Sequence, residues 1–411
     1  MRKGQLEASL LVLVTLCLVA FGLVMVYSAT SAPAALGNSD PGFYLKRQSV
    51  YALIGLALMM GAARLDYHAL RYFSPILLGT AFVLCVAVLV VGESVNGARR
   101  WLTAGPAVFQ PSELAKLAVA VWAAAYLSRR RAPRTVGELA RPIGLVAGLF
   151  CLLLLAEPDL GTTITLVVML GGLLLVVGTP LRLLALAGGV CIALGFAAIW
   201  VEPYRRDRFL SFLDPWQDAQ GSGFQVVQAM LGMGSGGLFG KGLGESVLKL
   251  FYLPEAHTDM IFAIIGEELG LVGVTAVLAA YSVFAYAGFR VALRCKDAFG
   301  KCLAAALTTL VCGQAVVNLA AVLGLAPLTG IPLPFVSAGG SSLVVALAAV
   351  GILLNIASDD SAERRARLPD RSRRDGRSRA AGARRRGGAS RQRRPRDIRR
   401  VAGATRGAAR P

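Results

Sequence analysis

The chain has 411 residues, of which 55% are hydrophobic and 16% charged. A soluble globular domain carries about a quarter charged residues, so this composition excludes a soluble protein and points to an integral membrane protein. The formal net charge is +19. However, the stretch from Asp359 to Pro411 holds 19 Arg against 6 Asp or Glu, so most of the excess belongs to the tail.

The predicted elements begin with Met1-Arg2-Lys3 ahead of an apolar run from Ala8 to Tyr27. That run has spanning length, longer than the core of a cleavable signal peptide, and predicts a first transmembrane helix. Ten such segments follow from the requirement for about 20 largely apolar residues. They cover residues 8–28, 48–64, 73–92, 112–128, 141–156, 161–177, 182–200, 260–289, 301–324 and 339–357. The predicted fold is an all-α polytopic membrane protein with a large extracytoplasmic loop between helices seven and eight. Residues 1–358 form the transmembrane domain and 359–411 a disordered, Arg-rich cytoplasmic tail.

Orientation follows from Lys and Arg in the loops. With a cytoplasmic N-terminus, the inside loops hold Arg64, Arg71, Arg129, Arg130, Arg131, Arg134, Arg141, Arg182, Arg290, Arg294, Lys296 and Lys301. The outside loops hold Lys46, Arg47, Arg99 and Arg100, plus a long connection of nearly balanced charge. An even helix count places both termini inside. The seven cysteines lie in or beside apolar segments without C-x-x-C spacing, as packing residues do.

Polar motifs gather on the outer side. Asn96-Gly-Ala-Arg-Arg-Trp-Leu102 precedes Phe109-Gln-Pro-Ser-Glu-Leu-Ala-Lys116, where Glu113 and Lys116 share a helix face at i, i+3. The plain reading is an ordinary helix start with a capping carboxylate. An ion pair inside the membrane favours a functional site over it. Glu157-Pro-Asp-Leu-Gly-Thr162 joins helices five and six, where its two carboxylates serve a turn and a cap or support the same outer cavity.

The long connection, residues 201–258, carries Tyr204-Arg205-Arg206-Asp207-Arg208 and a glycine-rich stretch from Gly232 to Gly244. A phosphate-loop reading fails, because Gly242 follows Lys241 where Ser or Thr is needed. Closely packed or flexible backbone is the better reading, and its apolar content predicts ordered, partly membrane-lying structure. The connection ends in Glu255, His257, Thr258 and Asp259 at the mouth of helix eight. Thr258 and Asp259 are both preferred helix caps, but the neighbouring ionisable groups favour a site. Gly330-Ile-Pro-Leu-Pro-Phe-Val-Ser-Ala-Gly-Gly-Ser-Ser342 lies between helices nine and ten. Irregular backbone at that depth is tolerated only where protein buries it or it lines a wet cavity.

At these motifs the sequence resembles the SEDS family (shape, elongation, division and sporulation) over residues 8–357. NGARRWL at 96–102, FQPSELAK at 109–116, EPDLGT at 157–162, GESVLKLFYLPEAHTD at 244–259, IGEELGLVG at 265–273 and GIPLPF…GGSS at 330–342 carry the resemblance. NGARRWL and KLFYLPEAHTD are closer to its septal branch than to its elongation branch. Met260, Leu328 and Ala338 depart from the usual residues but leave every ionisable position unchanged.

The resemblance implies polymerisation of lipid II into peptidoglycan on the outer face of the bacterial plasma membrane, at the division septum. It maps the catalytic aspartate onto Asp259 and places Trp101, Glu113 and Lys116 in a central cavity. It also implies pairing with a class B penicillin-binding protein and other division proteins.

The chemistry fits independently. Joining an α-linked donor into a β-linked glycan inverts the anomeric carbon, which needs one general base and no covalent carboxylate. Positive charge must meet the departing diphosphate. Asp259 is the candidate base; Lys116 and the arginines at 99, 100, 205, 206 and 208 are candidate diphosphate clamps, with His257 and Ser341 as further substrate contacts. A divalent cation, magnesium or manganese, could share the clamp role, though no metal motif is present. The tail suits attraction to anionic lipids, about 1 kcal/mol per basic residue near the surface, or an acidic cytoplasmic partner; no nucleic-acid partner is expected. An elongation-type polymerase, a lipid II flippase and a non-catalytic scaffold are the competing readings.

Overall fold

The computed structural model describes residues 3–35, 42–95, 98–104, 107–221, 223–249 and 256–367. Each of the ten apolar segments coincides with a helix. In chain order these are α1 (Lys3–Ala35), α2 (Phe43–Arg64), α3 (His68–Val91), α4 (Pro111–Leu127) and α6 (Leu145–Ala156), which the short α5 (Val136–Leu139) precedes. Then come α7 (Leu160–Val177) and α8 (Leu181–Val201), and finally α11 (Ile261–Arg294), α12 (Ala298–Val322) and α13 (Gly340–Arg367). Among the described residues eight helical segments are long and apolar enough to cross a membrane. The other two of the ten, α2 and α4, carry the charges Lys46, Arg47 and Arg64, and Glu113 and Lys116. The chain is a polytopic α-helical membrane protein.

The long connection is ordered as expected, and holds α9 (Pro203–Leu213) and α10 (Phe224–Ser235). One feature had no counterpart in the sequence reading: a three-stranded antiparallel sheet between α3 and α4. Its strands are β1 (Glu93–Val95), β2 (Ala98–Ala104) and β3 (Ala107–Phe109), and Leu102 pairs with Phe109. At the other end of the sequence, α13 runs past Ser358 to Arg367. The expectation of disorder falls mainly on residues 368–411, outside the described residues.

Within residues 1–362, the centre is built from α4, α7, α11 and α12. Small residues line it, including Ala115, Ala118, Ala120, Ala304, Ala305 and Ala306, all with no exposed surface. Small side chains let helix backbones approach closely, and close packing drives association where lipid supplies no hydrophobic force.

Helix α11 is too long for a single span. Its 34 residues would reach about 51 Å, against a hydrocarbon core of about 30 Å. Gly270, at φ 63° and ψ −157°, breaks it. The break frees backbone groups that must be satisfied inside a membrane protein, and the glycine-rich loop satisfies them. The N–H groups of Leu271 and Val272 donate to Gly237 O and Leu238 O at 3.0 and 3.2 Å. In return Lys241 and Gly242 donate to Glu267 O and Glu268 O, each at 3.0 Å. A Cβ at Gly240 would sit 2.0 Å from Glu268 O, so the approach needs glycine. The stretch is therefore a packed backbone clamp, not a phosphate loop. Side chains reinforce it: the Glu267 carboxylate accepts from Lys241 Nζ (2.7 Å), Ser246 Oγ (2.5 Å) and the N–H groups of Val247 and Leu248 (3.2 Å each).

Candidate active site

The motifs expected on the outer side converge at one end of the bundle, around a cavity of about 670 Å³. The N-terminal ends of α2 and α4, the sheet, the α6–α7 turn, α9, the segment before α11 and the loop before α13 all line it. Of the residues proposed from sequence, Asp259, His257, Glu113, Trp101, Arg100, Arg205, Arg208 and Ser341 line the cavity.

Three proposed residues do not line it. Arg205 and Arg208 lie one turn apart on α9 and share a face; Arg206 lies about 100° round the helix from Arg205 and is exposed. Arg99 on β2 is exposed as well, while Arg100 turns to the α6–α7 turn. Its Nε donates to Glu157 O at 3.1 Å, and its guanidinium also meets Pro158 O. Lys116 is the third, and is fully buried. Its Nζ lies 2.9 Å from Glu113 Oε1 and 2.6 Å from Gln314 Oε1. Gln314 Nε2 in turn donates to Pro332 O at 2.9 Å and Ser342 Oγ at 3.3 Å. Lys116 is thus linked through Gln314 to the loop that walls the cavity.

Asp259 stands in the cavity and not at a helix cap. Helix α11 starts at Ile261; its cap position is Met260, with no side-chain cap bond. The Asp259 backbone is fixed by Asn318 on α12, whose Nδ2 donates to Asp259 O and to Ile331 O, both at 2.8 Å. Thr258 Oγ1 donates to Asp259 Oδ1 at 3.2 Å. His257 O accepts from Ala338 N at 2.9 Å. The acid is therefore positioned by α12 and by the loop before α13. Glu255 lies outside the described residues.

The two carboxylates of the α6–α7 turn divide their roles. Asp159 caps α7, accepting from Thr162 N at 3.0 Å, and also accepts from Thr162 Oγ1 at 2.8 Å and Gln110 Nε2 at 3.2 Å. It lines the cavity. Glu157 is buried, and burial, then the nearby Asp159 charge, pushes its carboxyl up to about 8. A raised carboxyl binds its proton more tightly when folded than when unfolded, so its contribution to stability falls as pH rises from about 4.5 to about 8. Glu157→Gln, which imitates the protonated acid, is expected to flatten the loss of thermal stability across that window. Parallel slopes for wild type and variant in thermal unfolding would refute this.

Among the described residues no three His, Cys, Asp or Glu side chains gather to hold a metal ion. Sequence reasoning passed over Asn318 and Gln314. The available signal was two amide side chains one turn apart in an otherwise apolar helix, where polar groups are costly unless used. It also passed over Tyr44, Arg47, Gln48 and Tyr51 on α2, all of which line the cavity.

The family model described as "Cell cycle protein", covering FtsW, RodA and SpoVE, matches residues 8–362. The chain belongs to this FtsW/RodA/SpoVE family. Among its members, the chain is 41% identical over 361 residues to the probable peptidoglycan glycosyltransferase FtsW of Geobacter sp. (strain M18), covering 87% of this chain and 98% of the relative. It is 40% identical to stage V sporulation protein E of Bacillus subtilis (strain 168), covering 84% of this chain and 96% of the relative. The fold is similar to a chain of a peptidoglycan synthase complex coordinating polymerisation and crosslinking, with TM-score 0.70, 32% identity and coverage of 85% and 97%. It is also similar to the rod shape determining protein RodA of Thermus thermophilus, with TM-score 0.64, 32% identity and coverage of 85% and 96%.

Proposed function

We propose that this chain polymerises lipid II into glycan strands, with Asp259 as the general base. Its activity is peptidoglycan glycosyl transfer, as in the FtsW relatives of that name. The observation that carries the mechanism is the placement of the Asp259 carboxylate in a cavity shared with Arg100, Arg205 and Arg208. The acceptor 4-hydroxyl oxygen attacks the donor's anomeric carbon as its proton passes to Asp259. The bond to the diphosphate breaks, and its electron pair leaves with the diphosphate. The arginines stabilise the negative charge that develops there, guanidinium being suited to two-pronged phosphate contact. Purified protein supplied with lipid II, alone and with a partner transpeptidase, is the test. Folded protein that makes no polymer under either condition would sink the proposal.

A class B penicillin-binding protein is the proposed partner, on the strength of the fold shared with a chain of the synthase complex. The septum is the proposed site of action, supported by the FtsW names at about 41% identity and by the NGARRWL and KLFYLPEAHTD motifs. Both termini are proposed to be cytoplasmic, with the tail attracted to anionic lipids. Reporters at Arg130 and in the tail should read inside and one at Gly221 outside. Deleting residues 368–411 should leave polymerisation by the purified enzyme intact and weaken binding to anionic vesicles. A cytoplasmic Gly221, or loss of activity on truncation, would contradict this arrangement.

A further inference from the structure

The N-terminal end of α2 carries a surface without a role so far. Tyr44, Arg47, Gln48 and Tyr51 are spaced i, i+3, i+4 and i+7, so they share one helix face, and all four line the cavity. Three are held in place by neighbours. The Tyr44 ring meets the His257 ring edge-on, with centroids 4.6 Å apart. Gln48 Nε2 donates to Ser337 O at 3.1 Å. Tyr51 Oη accepts from Val108 N at 3.2 Å and donates to Val108 O at 3.3 Å. Arg47 is exposed, with its guanidinium 6.0 Å from the Tyr51 ring centroid.

This wall is separate from the one bearing the other cations. Arg100 bonds to the backbone of the α6–α7 turn. Arg205 Nη2 donates to Leu155 O on α6 at 2.8 Å. The α2 face instead joins β3 and the loop before α13, and reaches the Asp259 segment through the Tyr44–His257 contact.

Polymerisation brings together two lipid-linked diphosphates but cleaves only one. The cleaved diphosphate needs positive charge as it departs. The retained one also arrives as an anion, and must be held while its own sugar is extended. One cationic wall serves one diphosphate. Resting on the polymerase reading above, we infer that the α2 face is the acceptor subsite. Arg47 binds the diphosphate that is not cleaved, and Tyr44 and Tyr51 give the attached sugars a flat apolar surface. The arginines on β2 and α9 then serve the donor.

The test separates the two roles with labelled lipid II whose terminal 4-hydroxyl is capped. Such a molecule can donate but cannot accept. With capped donor in excess, uncapped lipid II is varied as acceptor and labelled product is measured; the donor is then varied in turn. Arg47→Ala is expected to raise the acceptor KM about ten- to a hundredfold, the cost of one charge-assisted contact. The kcat and the donor KM should stay near wild type. Arg47→Lys, which keeps the charge, should recover part of the loss. Arg208→Ala should raise the donor KM instead. An unchanged acceptor KM in Arg47→Ala, or equal rises in both KM values, would overturn the assignment while leaving the polymerase reading intact. No labelled product from wild-type enzyme would overturn the polymerase reading itself, and the subsite with it.

Discussion

Asp259→Asn protein is expected to lose glycan polymerisation by roughly 10²- to 10⁴-fold, the usual contribution of a general base. The substitution keeps size and shape, and an amide can still accept from Thr258 Oγ1, which lies 3.2 Å from Asp259 Oδ1. Among the described residues, backbone bonds that hold this segment go to the Asp259 oxygen, from Asn318, and to the neighbouring His257 oxygen, from Ala338. None of these depends on the carboxylate. Because the cap position of α11 is Met260, the substitution takes nothing from the helix start. Yield, thermal stability and association with a transpeptidase should therefore match wild type while polymerisation collapses. Polymerisation at a near-wild-type rate would show that the carboxylate is not the base. Asn318→Ala gives a useful contrast: it leaves the carboxylate in place but frees the backbone that aims it. It should lower kcat with little effect on the pH at which activity appears.

The ten helices were legible because a membrane span imposes a length of apolar sequence that few other constraints can produce. Even α4 was visible, since Glu113 and Lys116 interrupt its apolar run only near its N-terminal end. The sheet was not legible. Strands of 3, 7 and 3 residues are too short for an alternating pattern to stand out between helices. The convergence of motifs at one end of the bundle followed from helix parity, and the cavity collects them there.

Which side of each motif faces the cavity was a different matter. Spacing alone set Glu113 and Lys116 on one helix face, but could not say that Glu113 reaches the cavity while Lys116 turns into the bundle. Likewise the run Arg205-Arg206-Asp207-Arg208 reads as one basic patch until helix α9 separates Arg206 from the other two. A cap moves by one or two residues without leaving a trace in composition, so Asp259 and Met260 could not be distinguished as cap positions. Gly270 is one of many glycines in the chain, and only the tertiary fit of the 236–244 loop reveals that it breaks α11.

The buried pair gives the other large expected effect. Lys116 and Glu113 are almost wholly withdrawn from solvent, and Lys116 Nζ is divided between Glu113 Oε1 at 2.9 Å and Gln314 Oε1 at 2.6 Å. Lys116→Ala leaves the Glu113 carboxylate buried without its cation. Breaking such a pair costs about 3–5 kcal/mol, a large share of the stability of any fold. It also releases Gln314 from one of its partners, and Gln314 holds the loop at Pro332 and Ser342. Thermal unfolding in lipid nanodiscs should therefore show marked destabilisation, accompanied by lost polymerisation. Glu113→Gln combined with Lys116→Met removes both charges and keeps most of the volume, so it should recover much of the stability, because a buried pair replaced by uncharged groups is often neutral. Activity need not return with it, since Glu113 faces the cavity. A diphosphate clamp predicts the opposite pattern: Lys116→Ala would unfold at the wild-type temperature and show only a raised KM for lipid II. That result would return Lys116 to the substrate and leave Arg100, Arg205 and Arg208 as its companions there.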